Sequence, residues 1–135
     1  MSLPPSTAVV TGAARGIGLA IARALAEQGH AVIALDRDQD AIAQAAATLR
    51  AEGWQVTGEA LDIRDRAGAA ALFARVGPSL RVLVNNAGIA SPLLGFAEID
   101  AKAFADMIDI NVRGTFVMAQ EAARHMGPGA SIVNV

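Results

Sequence analysis

At 135 residues the chain has the length of a single domain, and 53% hydrophobic against 18% charged residues supplies ample core material and excludes a disordered chain. A formal net charge of -2 offers no positive field to a nucleic-acid backbone or an anionic lipid surface, so neither is expected as a partner. The absence of cysteine removes disulfides, thiolate metal sites and cysteine nucleophiles. With no basic-apolar leader and no apolar run of the ~20 residues that a spanning helix needs, a soluble, cytoplasmic protein is expected.

Residues 1–6 read as an N-terminal tail and 7–135 as one domain. Thr7 to Val10 is a β-prone run that meets Gly12, as a buried strand ending in a tight turn would. Ile17, Ile21 and Leu25 recur every four residues and predict the buried face of a helix that Gly29 closes. Ala31 to Leu35 is a second apolar strand. Beyond Asp36, Asp38 and Asp40, a second helix carries Ile42, Ala45, Ala46 and Leu49 on one face and stops at Gly53. Gln55 to Leu61 reads as a third strand interrupted by Gly58 and Glu59. Asp65 is placed to cap a third helix with Ala69, Leu72, Phe73 and Val76 inward, ended by Gly77-Pro78.

Leu80 to Val84 predicts a fourth strand running into Asn85-Asn86-Ala87-Gly88. A loop carrying Pro92 and Gly95 leads to a long helical stretch from about Asp100 to Met126, with a break near Asn111 to Gly114. Ala130 to Val135 is the fifth strand. Apolar strands separated by helix-length segments predict a doubly wound, Rossmann-like parallel α/β sheet covered on both faces, with right-handed crossovers.

The turn Thr11-Gly12-Ala13-Ala14-Arg15-Gly16-Ile17-Gly18 joins the first strand to the first helix. It departs from the commoner dinucleotide fingerprint, because Ile21 stands where a third glycine is wanted. The physics is the same: glycine lets the main chain approach a pyrophosphate, and unpaired amides at the helix start supply donors. A tight turn with no ligand is the bland alternative. Asp36 adds weight, since it follows the turn by the ~20 residues at which an acid accepts hydrogen bonds from an adenosine ribose.

Thr11 to Gly18 resembles the TGxxxGxG cofactor turn of short-chain dehydrogenases, and Asn85-Asn86-Ala87-Gly88 is similar to that family's NNAG motif. Asp62 stands where the family has an adenine-contacting aspartate, Asn111 matches the asparagine of its catalytic tetrad, and Ser131-Ile-Val-Asn-Val resembles the strand leading to its catalytic serine. The resemblance implies an NAD(P)-dependent oxidoreductase that moves a hydride between a nicotinamide and a small alcohol or carbonyl substrate, and a homo-oligomer. It implies cofactor contacts at Gly12, Arg15, Gly16, Ile17, Gly18, Asp36, Asp62, Ile63, Asn85, Asn86, Ala87 and Gly88, with Asn111 as the catalytic position.

By the same analogy Asp36 favours NAD and Arg15 favours NADP. An acid facing a 2'-phosphate at ~4 Å and an effective dielectric of ~20 costs ~4 kcal/mol, reduced to a couple by exposure and by Arg15 and Arg37. NAD is therefore expected, with NADP as the alternative. In this family a tyrosine, a lysine and a serine handle the proton. The chain has no tyrosine, and the three positions are expected after Val135. The reading at this stage is a fragment truncated before the last strands of the family fold and inactive alone. His30 and His125 read as surface residues, and Asp106 with Asp109 as a solvated helix face. Two readings from other classes stay open. A non-catalytic dinucleotide-binding module is one; a nucleoside-cofactor methyltransferase is the other, though it leaves the NNAG and Asn111 contexts unexplained.

Overall fold

Each short apolar run forms a strand and each helix carries the chain back to start the next, which makes every strand pair parallel. In the computed structural model, residues 6–135 are described. The elements are β1 (Thr7–Thr11), α1 (Gly16–Glu27), β2 (Ala31–Asp36), α2 (Gln39–Ala51), β3 (Val56–Ala60), α3 (Arg66–Val76), β4 (Leu80–Asn85), α4 (Ala101–Ile108), a π turn (Asp109–Gly114), α5 (Thr115–Ala123) and β5 (Ser131–Asn134). Of the expected tail, residues 1–5 lie outside the described residues. Ser6 is tied into the fold: its carbonyl accepts from Ala31 N at 3.0 Å and its Oγ lies 2.7 Å from His30 Nδ1.

The strand order is β3-β2-β1-β4-β5. Alternation along β1 divides the core: Ala8 and Val10 face the α1–α2 layer, while Val9 joins Leu35, Leu83, Phe73 and Met118 on the α3–α5 side. Three helices begin on aspartate caps. Asp38, Asp65 and Asp100 accept from Ala41 N, Gly68 N and Ala103 N respectively.

Several expectations are corrected. The stripe of α1 that faces the sheet is Gly18, Ala22 and Ala26, one position from the predicted Ile17, Ile21 and Leu25. Small residues let the helix lie close to the sheet, so Ile21 and Leu25 pack at the flanks and Ile17 is 66% exposed. The interruption of β3 is a packing device, because a Cβ on Gly58 would stand 2.7 Å from the Ile42 carbonyl oxygen of α2. Coverage of both faces holds for the central strands but not for β5, whose residues are all exposed and which, among the described residues, pairs with β4 alone. The predicted long helix is α4 and α5 joined through the π turn, and it ends at Ala123 rather than near Met126.

Candidate cofactor site

After β1 the chain builds β2 and β3 on one side, then crosses back to place β4 on the other. The crevice where the order reverses lies at the carboxyl ends of the strands, the usual ligand position in an open α/β sheet. The turn after β1, Asp36 at the end of β2, Asp62 beyond β3 and the Asn85–Gly88 segment at the end of β4 all arrive there. A pocket in this crevice is lined by Gly12, Asp36, Asp62, Ile63, Ala87 and Gly88 of the expected residues, and also by Leu35, Arg37, Leu61, Arg64, Ile89 and Ile110.

The glycine turn is held from beneath. Thr11, 1% exposed, accepts through Oγ1 from Asn86 N at 3.0 Å and Ala87 N at 2.9 Å. Asn86 Nδ2 donates to the carbonyls of Thr11 and Gly12 at 3.2 and 3.1 Å. Gly12 has φ +63, and a Cβ there would meet Ala87 Cα at 2.9 Å, so both the backbone conformation and the close approach demand glycine. Unlike α2, α3 and α4, helix α1 starts without a side-chain cap, on Arg15, and has no acid in its first turn. Its first amides are left to an outside acceptor, and the open space around Gly16 admits one. Those features fit a pyrophosphate.

Asp36 receives Asp38 N on Oδ1 at 3.0 Å and, weakly, Ala14 N on Oδ2 at 3.4 Å, which aims its carboxylate over the turn. Arg15 reaches Asp38 at 3.3 Å, with both side chains largely exposed. The Ala41 amide and the Arg15 guanidinium keep the Asp38 carboxyl below its ordinary range. Asp62 is gripped by Arg64, whose hydrogen bonds are the main reason its pKa falls to about 2.

Not every expected residue is brought to the pocket. Asn85 is buried and turns sideways, donating from Nδ2 to Asn134 Oδ1 at 3.0 Å, so it ties β4 to β5. Asn111 lies in the π turn, where Oδ1 accepts from Ile89 N and Nδ2 donates to Ile89 O, both at 2.8 Å. Its side chain is thereby committed to the backbone beyond the NNAG segment. Arg15, Gly16, Ile17 and Gly18, at the start of α1, do not line the pocket themselves. Besides the lining residues Leu35, Arg37, Leu61, Ile89 and Ile110, the sequence does not announce two residues that hold the site by hydrogen bonds. In the sequence Thr11 is only a motif letter, and Arg64 has no signal beyond lying two residues after Asp62. Asp109, expected on a solvated face, pairs with Arg64 at 3.2 Å and with Arg113. Arg113 and then Arg64 lower its pKa.

These depressed carboxylates have a pH signature. A carboxylate with a folded pKa below its unfolded one stabilises fully above the unfolded value near 4, and that contribution is lost as pH falls through the folded value, near 2 for Asp62. The Asp62 side chain is 39% exposed, so screening leaves it about 1 kcal/mol. Urea titrations at pH 5 and pH 2.5 are expected to show a smaller loss in Asp62→Asn than in the parent. Equal losses would refute the assignment.

The family described as short chain dehydrogenase matches residues 6–135. The cis-4-hydroxycyclohexanecarboxylate dehydrogenase of Sinomonas cyclohexanicum is 43% identical over 135 residues, which span 95% of this chain and 53% of that protein. A short-chain type dehydrogenase/reductase from Mycobacterium ulcerans superposes with a TM-score of 0.88 at 31% identity, over 99% of this chain and 52% of the other. A short chain dehydrogenase from Burkholderia cenocepacia, solved in complex with NADP, gives 0.83 at 32% identity, over 96% and 54%. The chain spans about half the length of the curated relatives it matches.

Proposed function

The chain belongs to the short chain dehydrogenase family, and from that premise we propose that it carries the dinucleotide site of an oxidoreductase that exchanges hydride with a small alcohol or carbonyl substrate. One observation supports this reading above the others. The glycine turn at Gly12, the Asp36 carboxylate and the Asp62–Ile63 pair line a single crevice at the point where the strand order reverses, and the turn leads directly into the uncapped start of α1. Gly16, Ile17 and Gly18 would receive the pyrophosphate on their amides. Asp36 would accept from the adenosine ribose, Asp62 from the adenine, and Ala87 and Gly88 would border the path toward the nicotinamide. The bound dinucleotide supplies the hydride chemistry; the residues of this chain bind and orient it.

NAD is the preferred cofactor on this reading, because a 2'-phosphate would stand beside the Asp36 carboxylate while Arg15 is partly engaged by Asp38. Calorimetric titration should give NAD the tighter binding, and Asp36→Ser should shift the NAD:NADP ratio toward NADP by roughly thirty-fold, or about 2 kcal/mol. A parent chain that binds NADP more tightly than NAD would sink the preference.

Residues 7–135 form one dinucleotide-binding domain in this account. Since no tyrosine is present among the 135 residues, this length of chain is expected to bind NAD without turning over, which a fluorescence titration run beside an absorbance assay would check. A cytoplasmic homo-oligomer belongs to the same proposal. The exposed apolar side chains Phe104, Ile108, Val112 and Phe116 along α4, the π turn and α5 support self-association, and sedimentation of a monomer at all concentrations would count against it. Among the described residues no helix is long and apolar enough to cross a membrane.

A further inference from the structure

Arg64 stands between two carboxylates on different parts of the fold. Its backbone N and Nε donate to Asp62 Oδ1 at 2.9 and 3.0 Å, its Nη2 donates to Asp62 Oδ2 at 2.7 Å, and its Nη1 reaches Asp109 Oδ2 in the π turn at 3.2 Å. Asp109 is braced in turn by Arg113. The loop is fixed to the π turn at a second point as well, since Ile63 packs so closely on Gly114 that a Cβ there would lie 2.6 Å from Ile63 Cδ1. A carboxylate has about four acceptor positions. The protein fills both on Oδ1 and one on Oδ2, which leaves a single acceptor position on the edge of a pocket that Asp62 and Arg64 both line.

We propose that Arg64 is a positioning residue for base recognition: anchored by Asp109, it presents the one remaining lone pair of Asp62 Oδ2 to an exocyclic amino group, so that the site selects adenine over a 6-oxopurine. The inference rests on the cofactor reading above and adds a cause for its base preference. The planar guanidinium suits the task because its forked donors fix the carboxylate plane, which a single ammonium charge does not.

The test compares NAD with nicotinamide hypoxanthine dinucleotide, in which an oxygen replaces the amino group, by calorimetry on the protein expressed from its natural gene. The parent is expected to bind NAD about ten-fold more tightly, as befits one hydrogen bond to a charged acceptor. Arg64→Met should bring the ratio close to one, Arg64→Lys should restore part of it, and Asp109→Asn should lower it at least three-fold. A purely structural role for Arg64 would weaken both dinucleotides equally and leave the ratio intact, which would overturn the proposal while the cofactor reading stands. A parent that binds both dinucleotides equally would also overturn it. A parent that binds neither would remove the cofactor reading itself. Should Arg64→Met fail to fold, Asp109→Asn decides by the same ratio.

Discussion

Gly18→Ala is expected to destabilise the protein by about 3 kcal/mol or more and to lower dinucleotide affinity at least ten-fold, although it adds only a methyl group. The added Cβ would lie 2.1 Å from the Gly12 carbonyl oxygen and 2.5 Å from Asn86 Nδ2. Neither neighbour can yield independently, because the Gly12 oxygen accepts from that same Asn86 amide at 3.1 Å. The turn, the amide and the start of α1 would have to move together, and the amides proposed to hold the pyrophosphate would move with them. Gly16→Ala is the control. It has nothing within 4 Å of a new Cβ, so only the left-handed backbone, φ +57, opposes it, at about 1 to 2 kcal/mol. Thermal melts of the two variants check the contrast, and equal losses would show that close approach is not what Gly18 provides.

A loss of about 3 kcal/mol is likewise expected for Thr11→Val, an exchange that preserves shape and removes one oxygen. That oxygen receives the amides of both Asn86 and Ala87, and each donor left without a partner costs roughly 1 to 3 kcal/mol. Released from β1, Ala87 and Gly88 would no longer hold their side of the pocket, so cofactor affinity should fall with stability. Thr11→Ser retains the oxygen and is expected to lose less than about 1 kcal/mol. In a domain of this size the valine variant should melt roughly 10 °C lower. A valine variant as stable as the parent would mean that the NNAG segment is held by Asn86 alone.

The elements were legible wherever their cause is local. Apolar runs marked the strands, and Asp65 marked the start of α3 because an N-cap depends on the three residues that follow it. Gly12 and Asp36 stood out by their spacing and Asp62 by the family resemblance, and the structure brings all three to the lining of one pocket. What stayed hidden depends on distant partners. The face of α1 was misread because periodicity weighs large side chains, whereas close helix-to-sheet packing selects Gly18, Ala22 and Ala26. The Thr11 hydroxyl and the Arg64–Asp109 pair join residues 75 and 45 positions apart, and no local pattern announces them. Asn85 shows the converse: its motif suggested a ligand contact, and its side chain instead serves the sheet by pairing with Asn134.

The residues that would choose between the two nicotinamide cofactors stand apart from those that hold the fold together. Arg15, Arg37 and Asp38 are exposed, Asp36 is half-buried, and none belongs to either core cluster. Substitutions at Arg15 and Arg37 should seldom exceed ±0.5 kcal/mol in stability, and even loss of the Asp38 cap on α2 should cost only about 1 kcal/mol, in contrast to Gly18 and Thr11. A lineage carrying this scaffold is therefore free to move between the cell's oxidising and reducing pools of nicotinamide by a few surface exchanges. The scaffold itself need not be reinvented for such a change in metabolic allegiance.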